Sequence, residues 1–312
     1  MLSSVSGKHL PIIYAVLASL CFASSTFLSK MLGGGYLGEA LHPLQVTHAR
    51  FAFGFITALC LFILRDRQKI IQPHLRLHLL RVSLGWMGVA IMFSGVVYIP
   101  ASDAIALSFM NPIFAMIFAV LLLGETVGRH RWAAAGCAFI GAVILLRPSG
   151  WQVNPIALMC LFGAAAFGLE IIIIKILSGR ERPLQILVIS NAIGSVIATA
   201  PLFFVATMPQ GVQWGGLAAV GGVMVLGQML FLLAMQRADA SLVAPYIYAT
   251  LLFVVGLDFL ILDVRPDRLS LAGAVIIIGA CLYIAYREHR RKSGPAPSQS
   301  GATGPCQTDH EG

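Results

Sequence analysis

One acidic side chain interrupts a long apolar stretch of this sequence. Between Pro155 and Ser178 the only carboxyl group is that of Glu170. Moving an ionisable side chain into hydrocarbon costs about 3 kcal/mol on insertion scales, so such a group is a functional candidate by default. A desolvated carboxyl there would bind a proton or a cationic group. The alternative is a structural carboxyl that hydrogen-bonds a neighbouring helix or is compensated by Lys175, which lies about one turn away.

Basic side chains near the ends of apolar blocks have two readings as well. Arg50, with His48 beside it, would either draw in an anionic substrate through its guanidinium or extend to the interface and anchor a helix. Lys30 and Lys175 end two different blocks in the same local context, each followed by an apolar residue and Leu. They are candidate gate or coupling residues, although interfacial anchoring explains them more simply.

Uncharged polar and aromatic groups at depth complete the candidate binding set. Proline frees a backbone carbonyl, and cavities form where helices are broken, so polar or aromatic residues beside a proline favour a solute site. Aromatic rings stack on planar solutes, whereas packing and interhelical hydrogen bonding are the plainer roles. The predicted substrate-binding residues are Glu170, Asn111, Pro112, Tyr246, Tyr248, Gln228 and Trp86, and Asn191 is a weaker candidate.

Composition determines the kind of element that carries these residues. The 312-residue chain is 58% hydrophobic and 11% charged, whereas about a quarter of the residues in a soluble domain are charged. The net charge of +8 comes mostly from Lys and Arg in short links between apolar blocks, which is typical of membrane orientation and not of nucleic-acid binding. The six cysteines have no paired spacing, so neither disulfides nor a metal site is predicted.

The apolar blocks predict an all-α membrane protein with ten transmembrane helices, because each block is long enough to cross about 30 Å of hydrocarbon. Residues 1–10 are predicted to be a cytoplasmic N-terminus, and residues 287–312, rich in Gly, Pro, Ser and Thr, a disordered cytoplasmic tail. The predicted helices are 11–31, 46–64, 78–99, 102–124, 132–147, 155–177, 184–207, 214–236, 240–262 and 269–286. Asp103 and Asp239 are interpreted as caps of the helices that follow them.

Lys and Arg are distributed unevenly between alternate segments of this arrangement. One side carries sixteen of the 21 basic residues and the other carries four, with Arg50 inside a helix. The positive-inside rule then predicts that both termini are cytoplasmic. Arg81 is counted here among the cytoplasmic charges.

The chain also contains an internal repeat. Lys30 and Lys175 occupy matching positions, and Pro43-Leu44-Gln45 with Gly54 matches Pro183-Leu184-Gln185 with Gly194 at the same offset. The two repeats are predicted to be residues 11–147 and 155–286. Because each has five helices, an odd number, the second must enter the membrane from the opposite side. An inverted repeat of this kind favours a carrier that works by alternating access.

These features resemble the drug/metabolite transporter superfamily, in particular its ten-helix bacterial branch with two EamA-type repeats. The similar stretches run from Asp103 through Asn111-Pro112 to Glu125, and from Ala240 through Pro245-Tyr246-Ile247-Tyr248 to Asp267. The resemblance implies a transporter of the bacterial inner membrane, either proton-coupled or facilitative. It also implies a central cavity lined chiefly by helices 1, 3, 4, 6, 8 and 9.

The sequence favours a secondary transporter of a small polar or amphipathic metabolite, such as an amino-acid derivative, a vitamin or a nucleoside-like compound. No cofactor is predicted, because neither a P-loop nor a glycine-rich strand-to-helix turn occurs. His74 and His78 have helical spacing, but no HExxH motif accompanies them. A polytopic membrane enzyme and a non-transporting structural membrane protein remain the alternatives. The predicted partners are the solute and the lipid bilayer, and the sequence leaves a homodimer open.

Overall fold

The computed structural model of the chain describes residues 10–65, 72–98, 107–146, 155–263 and 268–293. The described residues form helices and turns and contain no strand. The helices are α1 (Leu10–Gly33), α2 (Pro43–Arg65), α3 (Leu75–Tyr98), α4 (Asn111–Leu123), α5 (Arg129–Leu146), α6 (Pro155–Ser178), α7 (Pro183–Val205), α8 (Gly211–Arg237), α9 (Ala240–Leu262) and α10 (Arg268–Ser293).

Six of these helices are long and apolar enough to cross a membrane, namely α1, α2, α6, α7, α8 and α9. The described part of α4 is apolar but shorter. The helical fold class and a multi-pass membrane protein are therefore confirmed. The described helices match the predicted ones in number and order, but length and composition identify only these six as spans.

Several boundaries differ from the predicted ones. Helix α3 begins at Leu75, three residues before the predicted start, and α10 continues to Ser293 instead of ending at 286. The predicted N-terminal segment, Asp103 and the tail beyond Ser293 lie almost entirely outside the described residues. The earlier start of α3 moves Arg81 from the first turn of the predicted helix to the second turn of the observed one.

The helices of the two halves pack against each other in exchanged pairs. Helix α1 lies against α8 and α9, while α6, five helices later, lies against α3 and α4. Helix α2 packs on α7, and α5 packs on α10. Replacing each helix with the one five places away reproduces this set of pairs. The packing therefore has approximate two-fold symmetry between the halves.

Matching glycines allow α2 and α7 to cross closely. A Cβ on Gly54 would lie 2.8 Å from Asn191 Oδ1, and a Cβ on Gly194 would overlap the Phe51 ring. Small residues at helix crossings let backbones approach in membranes, where close packing drives helix association. The two repeat-related glycines thus bring α2 and α7, and the polar side chains they carry, into contact.

Helix α9 is not a regular α-helix throughout. Ala240–Val243 forms one α-helical turn, Ala244–Tyr248 a 3-10 segment, and Ala249–Leu262 a regular helix. Pro245 lacks the N–H needed for an α-helical hydrogen bond, which explains the change of winding. The break expected at this proline is present.

Candidate functional site

Two adjoining cavities lie between the halves, with volumes of about 280 and 260 Å³. Helices α1, α3, α4, α6, α8 and α9, which the family resemblance implies as the cavity lining, all contribute side chains, and α2 and α7 contribute as well. Both cavities are lined by Arg81, Phe167, Glu170, Met224 and Gln228. We treat them as one site, which we call the central cavity.

Of the residues that the structure describes, three with charged side chains face the central cavity. Arg81 Nε of α3 lies 3.6 Å from Glu170 Oε1 of α6, and Arg50 of α2 lines the same space. Arg81 is 4% exposed. The Glu170 carboxylate packs closely against Gly85 of α3, since a Cβ added to that glycine would lie 3.0 Å from Glu170 Oε2. With these side chains ionised, the cavity carries one excess positive charge, which favours an anionic group on a bound solute.

Aromatic rings form one wall beside these charges. The Arg50 guanidinium lies 4.6 Å from the centroid of the Phe51 ring, a cation–π distance. Phe51 in turn stacks on Trp86, with ring centroids 6.2 Å apart and an interplanar angle of 24°. We call Arg50, Phe51 and Trp86 the aromatic stack. Its flat rings offer a surface for a planar part of a solute.

Two polar atoms at the cavity lack a partner in the described ranges of the chain. Trp86 Nε1, a donor, and Asn111 Oδ1, an acceptor, are buried without a hydrogen bond among the described residues. A buried polar atom without a partner costs about 1–3 kcal/mol. A solute that supplied an acceptor to Trp86 and a donor to Asn111 would remove that cost on binding.

Arg81 is held from its other side by a polar cluster. Its Nη1 atom donates to Ser190 Oγ at 2.8 Å, and Ser190 Oγ lies 3.3 Å from His78 Nδ1. His78 Nε2 lies 3.0 Å from Glu181 Oε2. Burial by itself would raise the pKa of Glu181. Hydrogen bonds from the His74 backbone N–H and from the His78 and His74 imidazoles outweigh burial and hold this pKa below its ordinary value.

The structure brings most of the predicted binding residues together. Glu170, Gln228, Trp86 and Asn111 line the central cavity. Pro112 is buried in the first turn of α4, directly after Asn111. Gln228 Oε1 accepts from Asn191 Nδ2 at 3.3 Å, which orients the Gln228 amide.

Tyr246 and Tyr248 were expected in the cavity and are packed elsewhere. Tyr248 is fully buried, stacks on Phe109 and donates its hydroxyl to the Phe109 carbonyl at 2.7 Å. Tyr246 is 2% exposed within the main apolar core. In the 3-10 segment of α9 it is Ile247 that lines the central cavity. The winding of that segment decides which side chain faces inward, and the sequence pattern did not reveal it.

Lys30 and Lys175 have different partners, although their repeat positions match. Lys30 Nζ forms an ion pair with Asp258 of α9 at 2.8 Å. Lys175 Nζ donates to the carbonyls of Met235 and Ala238, at 2.6 and 2.5 Å, at the end of α8. Lys175 therefore caps a helix C-terminus, where a cation is favourable, and the described partner of Glu170 is Arg81.

A second group of contacts joins the halves where α4 ends and α9 begins. Glu125 accepts from the backbone N–H groups of Ala240 and Ser241 at 2.8 and 3.0 Å. Arg131 pairs with Asp239 at 3.1 Å and donates to Ser241 Oγ at 2.8 Å. Asp239 occupies the predicted N-cap position of α9, but its side chain makes no cap hydrogen bond. The carboxylate that caps α9 belongs to Glu125 of the other half.

Sequence reasoning missed Arg81, Ser190 and Phe51. Arg81 had been treated as a topology-determining charge, although the predicted third helix already contained it. Ser190 could have been found from the repeat, since it lies seven residues after Pro183, as Arg50 lies seven residues after Pro43. Nothing in the sequence signals that Phe51 stacks on Trp86.

The chain matches the model of the EamA-like transporter family twice, over residues 9–147 and 154–286. It is 30% identical over 264 residues to an S-adenosylmethionine uptake transporter of Rickettsia felis, covering 85% of this chain and 90% of that protein. It is 30% identical to a riboflavin transporter of Rhizobium johnstonii, covering 91% and 93%, and 26% identical to a pseudopaline exporter of Pseudomonas aeruginosa, covering 88% and 95%.

A solved crystal structure shares the fold, with a TM-score of 0.73 and 19% identity over 93% of this chain and 100% of that one. The duplicated family match confirms the two repeats. Helices of membrane-spanning length and bacterial relatives that are transporters support a multi-pass inner-membrane protein. The chain belongs to the EamA-like transporter family and is a transporter of small molecules, not an enzyme.

Proposed function

We propose that this protein carries a zwitterionic metabolite with a planar portion across the inner membrane by alternating access, in a proton-linked or facilitative way. The ten helices would all span the membrane as two inverted repeats of five, with both termini in the cytoplasm. The supports for this topology are the exchanged helix pairs and the bias of Lys and Arg toward one side.

The observation that carries the substrate class is the composition of the central cavity. Arg50 and Arg81 suit a carboxylate, Glu170 suits an ammonium or other cationic group, and the aromatic stack suits a planar ring. The unpartnered atoms of Trp86 and Asn111 add one donor and one acceptor for the solute's polar edge. An amino-acid derivative of a nucleoside combines all of these features.

The relatives offer two solutes that separate the parts of this proposal. S-adenosylmethionine, named for the Rickettsia relative, has an amino-acid zwitterion and a purine. Riboflavin, named for the Rhizobium relative, has a planar ring system and no carboxylate. If Arg50 and Arg81 select a carboxylate, the cavity should prefer the first solute over the second.

The test is uptake of radiolabelled solute into proteoliposomes that contain the purified protein. S-adenosylmethionine, riboflavin and a panel of amino acids and nucleosides would be compared with and without an imposed pH gradient. Each zwitterion would be matched with its decarboxylated analogue. We expect flux of at least one zwitterion and little flux of its decarboxylated partner. Equal flux of both members of every pair would contradict the assignment of a carboxylate site.

Glu170→Gln tests the cationic half of the site. The substitution keeps the size of the side chain and removes its charge, so it should reduce uptake of solutes that carry an ammonium or sulfonium group. Unchanged flux and unchanged pH response would remove Glu170 from the mechanism.

A further inference from the structure

A second buried polar cluster lies where α3 begins and α7 begins, outside the central cavity. Glu181, in the turn before α7, has a side chain with no exposed surface, and it contacts both His74 and His78. His78 is fully buried, whereas the side chain of His74 is 43% exposed. The cluster therefore extends from the protein surface into its interior. The transport chemistry argued above does not use it.

The hydrogen bonds of this cluster assign one arrangement of hydrogens. A carboxylate only accepts, so the Nε2–H group of His78 donates to Glu181 Oε2 at 3.0 Å. In the neutral ring, His78 Nδ1 then accepts from the Ser190 hydroxyl at 3.3 Å. Ser190 Oγ in turn accepts from Arg81 Nη1 at 2.8 Å. Every donor in this series therefore has one acceptor. The Nδ1 atom of His78 carries no hydrogen in this arrangement, so it is the atom that can take up a proton.

This series of hydrogen bonds ends at Arg81, one of the charged residues of the central cavity. Arg81 reaches Ser190 with Nη1 and Glu170 with Nε, at 2.8 and 3.6 Å. A guanidinium does not give up its proton in proteins, so protons do not pass through Arg81. The effect of a proton at His78 must instead reach the cavity through the position and charge of Arg81.

We propose that His78 and Glu181 form a proton-binding site whose occupancy is coupled, through Ser190 and Arg81, to solute binding in the central cavity. The solute side of this coupling rests on the proposed function; the proton site itself does not. Nδ1 of His78 is the atom that takes the proton, and Glu181 is the counter-ion that keeps the imidazolium paired inside the protein.

Proton binding at Nδ1 changes the bonding of Arg81. The protonated ring donates to Ser190 Oγ, so the serine hydroxyl no longer points toward the ring. It also places a positive charge next to the guanidinium. Both changes weaken the Arg81–Ser190 hydrogen bond and favour movement of Arg81 toward Glu170 or a solute carboxylate. By thermodynamic reciprocity, a carboxylate that draws Arg81 away from Ser190 strengthens proton binding at His78 by the same factor.

The charged groups around His78 act in opposite directions: the Glu181 carboxylate favours a proton on the ring, whereas the positive charge of Arg81 and of a protonated His74 opposes it. Glu181, Arg81 and His74 face it directly, and Glu170 of α6 faces it through Arg81. From α7 the facing group is Ser190, which does not titrate near neutral pH. Because the hydrogen bonds to Glu181 hold its pKa below the ordinary value, Glu181 stays a carboxylate where histidines titrate. His78 is then the group that gains or loses the proton.

The test needs no solute, because Trp86 lines the same cavity as Arg81 and its fluorescence should respond when that charge moves. In a variant with Trp132, Trp151 and Trp214 changed to Phe, the fluorescence of Trp86 would be measured between about pH 5 and pH 8, the range in which histidines titrate. We expect one transition and its loss in His78→Gln. His130→Gln is the matched control, because His130 contacts Tyr283 and should leave the transition unchanged.

Ser190→Ala is the second variant and separates proton binding from its transmission. Nitrogen-15 NMR of histidine-labelled protein should still show a buried histidine that titrates, while the fluorescence transition of Trp86 is lost. A fluorescence transition that persists in His78→Gln or Ser190→Ala, or the absence of any transition in the parent, would overturn the proposal. Failure to transport any solute would bear on the proposed function alone.

Discussion

Arg81 and Glu170 form an ion pair inside the protein. Each would be costly in the membrane by itself, whereas an ion pair with a hydrogen-bonded second partner lowers that cost. Within the part of the chain that the structure describes, the Arg50 guanidinium lies over the Phe51 ring and forms no ion pair of this kind. Of the two arginines, Arg50 is therefore freer to bind a solute carboxylate without breaking an existing bond to protein.

Arg50→Gln should weaken the binding of a zwitterionic solute by about 10- to 100-fold, the loss expected for a charge-assisted hydrogen bond of about 1.5–3 kcal/mol. Arg50→Lys keeps the charge but loses planar stacking on Phe51, so it should recover only part of the affinity. The affinities of both variants would be measured by equilibrium binding of the solute that the uptake screen identifies. The decarboxylated analogue is the control, and an equal loss of its affinity would show that Arg50 acts on packing.

Glu181→Gln should lower thermal stability in a pH-dependent way. The pKa of Glu181 lies below its ordinary value, so the carboxylate stabilises the fold above the unfolded-state pKa of about 4.3. That stabilisation is lost as the pH falls through the lowered, folded-state pKa. The variant should therefore melt at a lower temperature than the parent at pH 7, and the difference should narrow only below about pH 4.

Unfolding in detergent, followed by intrinsic fluorescence at several pH values, measures this difference. Glu39→Gln, at an exposed position in the loop after α1, is the control and should change little at any pH. A constant melting difference across the whole range would mean that the Glu181 contacts stabilise the fold independently of its charge.

Sequence position identified Glu170 but did not identify its partner. An acid in an apolar block is visible without a structure, because it interrupts a long run of apolar residues. Whether Lys175 or Arg81 neutralises it depends on which helices pack together. Arg81 was hidden because a basic residue near a helix start is usually a topology signal.

At the scale of helices, the two repeats pack symmetrically, but the side chains at matching positions differ. Arg50 of α2 corresponds to Ser190 of α7, each seven residues after the matched proline, and Glu170 corresponds to Ser25, each five residues before the matched lysine. Arg50, Glu170 and Ser190 line the cavity, but Ser190 carries no charge, and Ser25 donates a hydrogen bond to the Val220 carbonyl. The halves therefore share helix packing but divide the binding chemistry between them.

Gly194→Ala should destabilise the crossing of α2 and α7. The added methyl would overlap the Phe51 ring, and overpacking of this kind costs about 1–3 kcal/mol. Because Phe51 belongs to the aromatic stack, solute binding should weaken along with the melting temperature. Gly136→Ala on α5 is the matched control, since a Cβ there meets nothing within 4 Å. An equal melting temperature for the two variants would contradict this account.

The order and approximate bounds of the described helices could be predicted because each apolar block has the length that a bilayer requires. The start of α3 and the winding of α9 could not. The charged Arg76 makes the beginning of α3 look like part of a loop, although the helix already starts at Leu75. In α9 the 3-10 segment turns Tyr248 toward Phe109 and leaves Ile247 at the cavity, an angular detail that polarity does not encode.

For the whole molecule, the two groups of contacts between the halves lie at opposite ends of α9. Glu125 and Arg131 bind the residues at its start, and Lys30 binds Asp258 near its end. Eighteen residues separate Ala240 from Asp258 along the chain, which corresponds to roughly 27 Å of helix. In the proposed topology the first group closes the cytoplasmic end and the ion pair closes the outer end.

Alternating access requires that one of these groups opens while the other stays closed. Asp258→Asn removes the ion pair and should shift the population toward states open to the outside, and Arg131→Gln should shift it toward the cytoplasm. A cysteine placed at Ile174, which lines the central cavity, in a cysteine-free background would report both changes. Labelling with an impermeant thiol reagent, in whole cells and in inverted vesicles, should rise from the outside in Asp258→Asn and from the cytoplasmic side in Arg131→Gln.

Exchanging the charges of the outer pair provides the control. Lys30→Asp combined with Asp258→Lys restores an attractive pair at the same place, so labelling should return toward the parent level, whereas each single reversal places like charges together and should exceed Asp258→Asn. If the ion pair only anchors α1 at the interface, all four variants should be labelled alike. Lys30 would then be an interfacial anchor, and closure of the outer end would have to come from the packing of α1 against α8 and α9.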